Sequence, residues 1–289
     1  MAIGGGPDFT DAELVDFSPF KNISTSKPTP LPDNMWGSVA NLVGDQVIAC
    51  GGAQEDNCYA YDFDLHTWTH AATMDTARYG AVGFVSAVDD KWFILGGNAY
   101  GIVLDTAIVY QQDNGFTEGG KLPHQVYFPC LATVNETHVF LAGGYGGDGI
   151  YYSDAHLLEV ATWTWTEVAG MGVARYEHSC GRVGRDIVAV GGYQEDARRT
   201  SEIFNLDTLA WRYGPGVPGE SGEFYDAGPV YQLEDTFYTL GGYGGGGYLD
   251  YVFEFDPVTF AWKERRERLV VARSHHAVVP VLTRLLVKS

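Results

Sequence analysis

The sequence predicts an all-β fold made of six repeated units, each of four short strands. Two observations carry this reading. A Gly-Gly pair following an apolar run recurs at Gly4-Gly5, Gly51-Gly52, Gly96-Gly97, Gly143-Gly144, Gly191-Gly192 and Gly241-Gly242, at steps of 45 to 50 residues. Between the pairs, short apolar or alternating runs are divided by turn residues, and no stretch has the 3.6-residue apolar period of an amphipathic helix.

Each element of the unit repeats in order. A strand stands before the glycines: Val47-Ile48-Ala49-Cys50, Trp92-Phe93-Ile94-Leu95, Val139-Phe140-Leu141-Ala142, Ile187-Val188-Ala189-Val190 and Phe237-Tyr238-Thr239-Leu240. A polar loop and a further strand follow, as in Tyr59-Ala60-Tyr61-Asp62 and Val252-Phe253-Glu254-Phe255-Asp256. An aromatic residue comes next: Trp68, Phe116, Trp165, Trp211 or Trp262, with Phe20 as its equivalent in the first copy. One more strand lies upstream of each Gly-Gly, for instance over 80–86 and 178–183. The first glycine suits a positive φ, the second a close backbone approach, and the aromatic a plate between neighbouring units.

Apolar strand, Gly-Gly, loop, strand ending in Tyr-Asp, then Trp resembles the kelch repeat; Tyr61-Asp62 to Trp68 and Phe255-Asp256-Pro257 to Trp262 match best. The resemblance spans essentially the whole chain and implies a six-bladed β-propeller in one domain, 1–289. The expected blades are about 36–73, 79–121, 127–170, 176–216 and 225–266. A composite blade, 274–289 plus 1–24, would join His275 to Leu282 and Leu285-Leu286-Val287 to the start of the chain. Such closure would remove an exposed sheet edge.

Composition narrows the function. Eighteen basic against 37 acidic residues give a net charge of −19, a field that repels phosphate backbones, so no nucleic-acid partner is expected. A basic partner would be drawn in faster. No apolar run is long enough for a membrane helix, so no membrane insertion is expected, and Met1-Ala2-Ile3 running into glycines carries no signal-peptide pattern.

Kelch relatives include adaptors, actin-associated and secreted binding proteins and a few enzymes, so the fold alone leaves function open. The resemblance implies docking on the face of the post-glycine loops and the segments leading into each blade. The expected binding residues are Trp36, Arg78, Tyr79, Tyr100, Tyr127, Tyr145, Arg175, Tyr176, Tyr193, Tyr225, Tyr243, Arg273 and His275. The aromatics could line the channel mouth or simply pack. The three arginines, scarce in this acidic chain, could fork an acidic peptide, or instead form an inter-blade salt bridge or a hydrogen bond to a loop carbonyl.

No nucleophile elbow, phosphate loop or HExxH occurs, and Gly244-Gly245-Gly246-Gly247 reads as a flexible loop. No metal, cofactor or catalytic residue is expected. The reading is a non-enzymatic protein- or peptide-binding propeller, monomeric or weakly oligomeric. The alternative is a small-molecule binder or kelch-type oxidase using the central channel; such oxidases need a Tyr-Cys crosslink.

Cys50 ends one strand and Cys58 begins its partner, within disulfide range if the side chains face one another. Cys130 and Cys180 read as free core thiols. Asn22-Ile23-Ser24 and Asn135-Glu136-Thr137 are glycosylation sequons. A Cys50–Cys58 bond with glycans at Asn22 and Asn135 would fit a secreted protein, which this reading favours over a cytoplasmic one.

Overall fold

The apolar run before each Gly-Gly becomes the second strand of a blade, where both faces of the sheet are covered by neighbouring blades. Val47, Ile48, Ala49 and Cys50 are all buried, as are Val139 to Ala142 and Ile187 to Val190. Alternation is therefore lost where a strand lies between two neighbours, whereas outer strands such as Thr164–Val168 hold no fully buried residue.

The computed structural model describes residues 1–5, 9–15, 28–216, 226–227, 230–233 and 236–281. It is a six-bladed β-propeller, all-β, with no helix among the described residues. Blade 1 comprises Val39–Val43, Gln46–Cys50, Asn57–Asp62 and Thr67–Thr73, paired antiparallel in chain order. Blade 2 repeats this with Val82–Val85, Trp92–Leu95, Thr106–Gln111 and Gly115–Lys121. Blade 3 has Cys130–Thr133, His138–Ala142, Ala155–Glu159 and Thr164–Val168. Blade 4 has Ser179–Val183, Asp186–Val190, Ser201–Asn205 and Ala210–Tyr213. Blade 5 has Val230–Leu233, Thr236–Leu240, Tyr251–Asp256 and Ala261–Arg268.

Blade 6 draws on residues far apart in sequence. Ala2–Gly5 pairs on one side with Phe9–Glu13 and on the other with Ala277–Val278, in the register Ala2↔Val278 and Ile3↔Ala277. Phe20, Asn22, Tyr225 and the run Leu285-Leu286-Val287 lie outside the described residues.

The core is divided into six clusters, one at each interface between blades. Ile3 meets Val47 and Tyr61; Ile48 meets Trp92; Phe84 meets Leu141; Phe140 meets Ile187; Val188 meets Phe253; and Ala2 meets Leu240. Each late aromatic reaches back to the preceding blade. Trp211 packs on Phe140, with centroids 6.0 Å apart, and its indole N–H donates to the Ala169 carbonyl at 2.6 Å. Trp163 joins Trp165 in this role, and both indoles donate to the Lys121 carbonyl at 2.9 Å.

Two expectations are corrected here. Cys130 and Cys180 are not free thiols: they are bonded to each other between the inner strands of blades 3 and 4, with Cα atoms 5.6 Å apart. Inner strands of adjacent blades converge toward the axis, which brings together residues 50 positions apart in sequence. Cys50 and Cys58 are directly opposed in register and also bonded, with Cα atoms 4.1 Å apart. The run Gly244 to Gly247 is a tight hairpin rather than an open loop, with Gly242–Gly244 paired to Gly247–Tyr248.

Candidate functional site

Antiparallel order places the segments leading into the blades and the post-glycine loops on one face, around the central channel. At the channel mouth the backbone forms a hydrogen-bonded belt. In five blades the residue two positions before the inner strand has left-handed φ: Gly37 (71°), Gly80 (65°), Phe128 (51°), Glu177 (55°) and His275 (52°). Gly37 N–H donates to the His275 carbonyl at 2.8 Å, and Gly80 N–H to the Gly37 carbonyl at 2.9 Å. Phe128 N–H then donates to Gly80 at 2.7 Å, and Glu177 N–H to Phe128 at 3.3 Å. Four bonds thus chain five blades together at the mouth. Left-handed backbone costs a non-glycine residue about 1–2 kcal/mol, so the side chains of Phe128, Glu177 and His275 are held there against a local cost.

Two glycines in this belt make room for rings. A Cβ on Gly37 would overlap the Tyr79 ring, and one on Gly80 would lie 2.9 Å from Phe128. Tyr79 therefore lies on blade 1 and Phe128 on blade 2. From there a continuous aromatic surface runs around the mouth. Trp36 contacts His275 and Tyr79 at 4.8 and 5.0 Å between centroids, and Tyr79 contacts Phe128 at 4.8 Å. Tyr127 meets Tyr145 at 5.3 Å, Tyr145 meets Tyr176 at 5.5 Å, and Tyr176 meets Tyr193 at 5.2 Å. Tyr151 stacks on Tyr176 at 5.4 Å and is 44% exposed, as Tyr193 is 46% exposed.

Glu177 and His275 lie at the floor of this bowl. Their side chains are 13% and 11% exposed, and Glu177 Oε1 lies 3.4 Å from His275 Nε2 across the mouth. Burial, followed by the charge of Glu177, pushes the Tyr176 hydroxyl far above its ordinary range; burial is also the first cause at Tyr127, with Tyr145 and Glu177 adding to it. Both phenols stay protonated in a negative local field. Below the belt is a cavity of about 230 Å³, walled by inner-strand residues such as Ala40, Val82, Leu131 and Val278.

The three arginines are corrected: they are not part of the face. Arg78, Arg175 and Arg273 are 1%, 0% and 0% exposed. Each turns inward and donates to the carbonyl of the first glycine in its own blade: Arg78 to Gly96 at 2.9 Å, Arg175 to Gly191 at 2.7 Å, Arg273 to Gly4 at 2.8 Å. Arg175 also meets Glu202 at 3.1 Å, and Arg273 meets Glu13 at 3.4 Å. A desolvated guanidinium needs its donors filled, and carbonyls in fixed positions fill them. The clasp occupies blades 2, 4 and 6; blades 1 and 3 put buried Met35 and Val126 at the same position.

Beside two of the arginines lie buried histidines, His178 and His276, whose ring nitrogens have no hydrogen-bond partner. Burial first, then the charge of Arg175, lowers the His178 pKa to about 3; His276 moves the same way. Both pack as neutral rings. His275 and His276 are divided between mouth and wall by the left-handed turn at His275.

The remaining expected positions are scattered. Tyr100 projects from a hairpin tip, 66% exposed, with its hydroxyl on the Gln54 carbonyl at 3.4 Å. Tyr243 contacts Tyr248 at 5.7 Å in the blade 5 hairpin. Asn135 sits in an exposed turn on the opposite face, its Oδ1 accepting from Thr137 N–H and hydroxyl at 2.9 Å each. The expected site residues omitted Phe128, Tyr151 and Glu177. Aligning the units at the residue after Trp36, Tyr79, Tyr127 and Tyr176 places Phe128 and Glu177 in one column with the glycines.

Residues 116–287 match a family model described as the KLHDC2/KLHL20/DRC7 Kelch-repeats domain. Kelch domain-containing protein 10 of Rattus norvegicus is 27% identical over 155 residues, 50% of this chain and 37% of that protein. Kelch-like protein 36 of Bos taurus is 28% identical over 186 residues, 60% of this chain and 28% of that protein. The chain thus spans about a third of the length of the curated relatives it matches. A solved structure of YjhT shares the fold, with TM-score 0.76 at 11% identity over 89% of this chain and 91% of that one.

Proposed function

The chain belongs to the kelch-repeat family, and from that premise we propose that it is a non-enzymatic protein-interaction module whose channel-mouth face receives a basic segment of a partner protein. The observation that carries this reading is the continuous aromatic surface from Trp36 to Tyr193 with Glu177 at its floor. Aromatic faces attract ammonium and guanidinium groups, and a carboxylate among them adds a Coulombic anchor. The loops around the bowl carry Glu55, Asp56, Asp148, Glu195 and Asp196, and the net charge of −19 would steer a cation inward. With Arg78, Arg175 and Arg273 in the interior, an acidic peptide has lost its expected fork.

Two facts weigh against the channel as a chemical site. All four cysteines are in disulfides, which leaves no thiol for the Tyr-Cys crosslink of a kelch-type oxidase. The cavity of about 230 Å³ is also smaller than the roughly 300–1,000 Å³ typical of small-molecule sites.

The test is fluorescence anisotropy with labelled peptides of matched length, rich in Lys/Arg, in Asp/Glu, or neutral. The basic peptide should bind selectively, its affinity should fall steeply with salt, and Tyr176→Ala and Glu177→Gln should each weaken it about tenfold or more at unchanged melting temperature. Preference for the acidic peptide, or binding indifferent to both substitutions, would overturn the proposal.

A further inference from the structure

Outside the channel mouth, one cluster of side chains among the described residues has the composition of a metal site. His124 lies in the link from blade 2 to blade 3, Asp154 immediately precedes the third strand of blade 3, and His156 is that strand's second residue. Their ligand atoms all lie within 4.8 Å of one another. Two imidazole nitrogens converge on a single carboxylate oxygen: His124 Nε2 at 2.7 Å and His156 Nδ1 at 3.5 Å from Asp154 Oδ2.

The surroundings of His124 orient it for ligation. Its Nδ1 lies 3.3 Å from the Gln125 carbonyl, which can accept the Nδ1 proton when Nε2 serves as the ligand atom. Nε2 faces Asp154 Oδ2 at 2.7 Å, so the two atoms are placed to share one ion. A backbone carbonyl holding the distal N–H is the usual outer partner of a metal-bound histidine. The ring is also pinned by stacking on Tyr152, with centroids 3.9 Å apart, while His156 meets Trp165 edge-on at 6.3 Å.

We infer that His124, Asp154 and His156 form a binding site for a divalent transition-metal ion of the zinc type. Imidazole and carboxylate are the donors such ions take at about 2.0–2.2 Å, and a tetrahedron of that size has edges of about 3.3 Å. The observed separations bracket that edge, so ligation needs only side-chain adjustment. The side chains of His124, Asp154 and His156 are 22%, 28% and 11% exposed, which leaves solvent a path to a fourth position. Three protein ligands with one open position is the pattern of a site that can accept a further donor, from water or from a partner. The ion would also tie the interblade link to the blade it leads into, on the same face as the aromatic bowl.

The experiment is titration of the full chain, stripped with chelator and returned to chelator-free buffer, with Zn²⁺ by calorimetry and with Co²⁺ by visible absorption. One saturable site per chain is expected, with affinity reduced about tenfold or more in Asp154→Asn and in His124→Gln and unchanged in His138→Gln. Absence of saturable binding, or stoichiometric binding that Asp154→Asn and His124→Gln leave intact, would overturn the inference. A measurement on the unmodified chain covers the case in which a variant fails to fold. Co²⁺ should broaden backbone amide resonances centred on residues 124–125 and 154–156, and broadening centred elsewhere would equally reject the site.

Discussion

Arg273 Nη1 donates to the carbonyl of Gly4 at 2.8 Å, joining residues 269 positions apart inside blade 6. The same guanidinium faces Glu13, and Glu13 in turn accepts from the amides of Val270 and Val271. One side chain therefore ties the blade's two sequence-distant parts together, beside the pairing of Ala2–Gly5 with Ala277–Val278. Arg273→Met should lower unfolding free energy by about 3–5 kcal/mol, because it strands the buried Glu13 carboxylate and the carbonyls of Gly4, Asp11 and Val271. Arg78→Met should cost less, since Arg78 bonds Gly96 and Thr106 and no carboxylate. Urea unfolding of both variants checks the order; equal losses would refute the role given to Glu13.

The buried histidines predict a pH dependence. His178 is neutral when folded, with a pKa of about 3 against an ordinary 6.5, and His276 is lowered in the same direction. Between those values the unfolded chain binds protons that the native state does not, so the two histidines' share of the stability is full above pH 6.5 and falls as pH drops toward 3. Each histidine contributes a slope of at most about 1.4 kcal/mol per pH unit. Between pH 6 and 5, before most carboxylates titrate, His178→Leu should flatten the decline seen by thermal melting. An unchanged slope would mean that His178 is not held neutral.

The repeat was legible because its elements are local: apolar strand, Gly-Gly and late aromatic recur in phase, and each copy can be checked against the others. The aromatic column from Trp36 to Tyr176 was legible for the same reason. Arg175 was not, because a scarce charge beside a surface aromatic looks the same whether it points to solvent or to the Gly191 carbonyl. Its inward turn depends on a carbonyl 16 residues away and on Glu202 in the third strand of the blade. Cys130 and Cys180 failed in a similar way, since neither reveals alone that two inner strands converge. His124 and Asp154, 30 residues apart, meet only because the link between two blades passes over the edge of the second.

The two disulfides should differ in weight. Cys130–Cys180 closes a separation of 50 residues and Cys50–Cys58 one of 8. Loop-closure entropy assigns about 4 kcal/mol to the first and about 2–3 kcal/mol to the second. The double variant Cys130→Ala/Cys180→Ala should therefore lose more stability to urea than Cys50→Ala/Cys58→Ala. Thiol titration of the denatured, unreduced chain should find no free sulfhydryl; two per chain would mean that one bridge does not form.

Glu177 offers a separation of stability from binding. Its left-handed backbone (φ 55°) is a conformation in which glycine is at ease, and its side chain faces His275 Nε2 at 3.4 Å. Glu177→Gly relieves about 1–2 kcal/mol of backbone cost, set against a more flexible unfolded chain and the lost contact with His275. The expected result is stability unchanged or raised by up to about 1 kcal/mol, together with loss of basic-peptide binding. Phe128→Gly, at the same column position, should instead destabilise, because it also removes the ring lying over Gly80 and against Tyr79. Melting temperatures and peptide anisotropy measured on both variants decide the point: a clear destabilisation by Glu177→Gly would show that the side chain supports the belt itself.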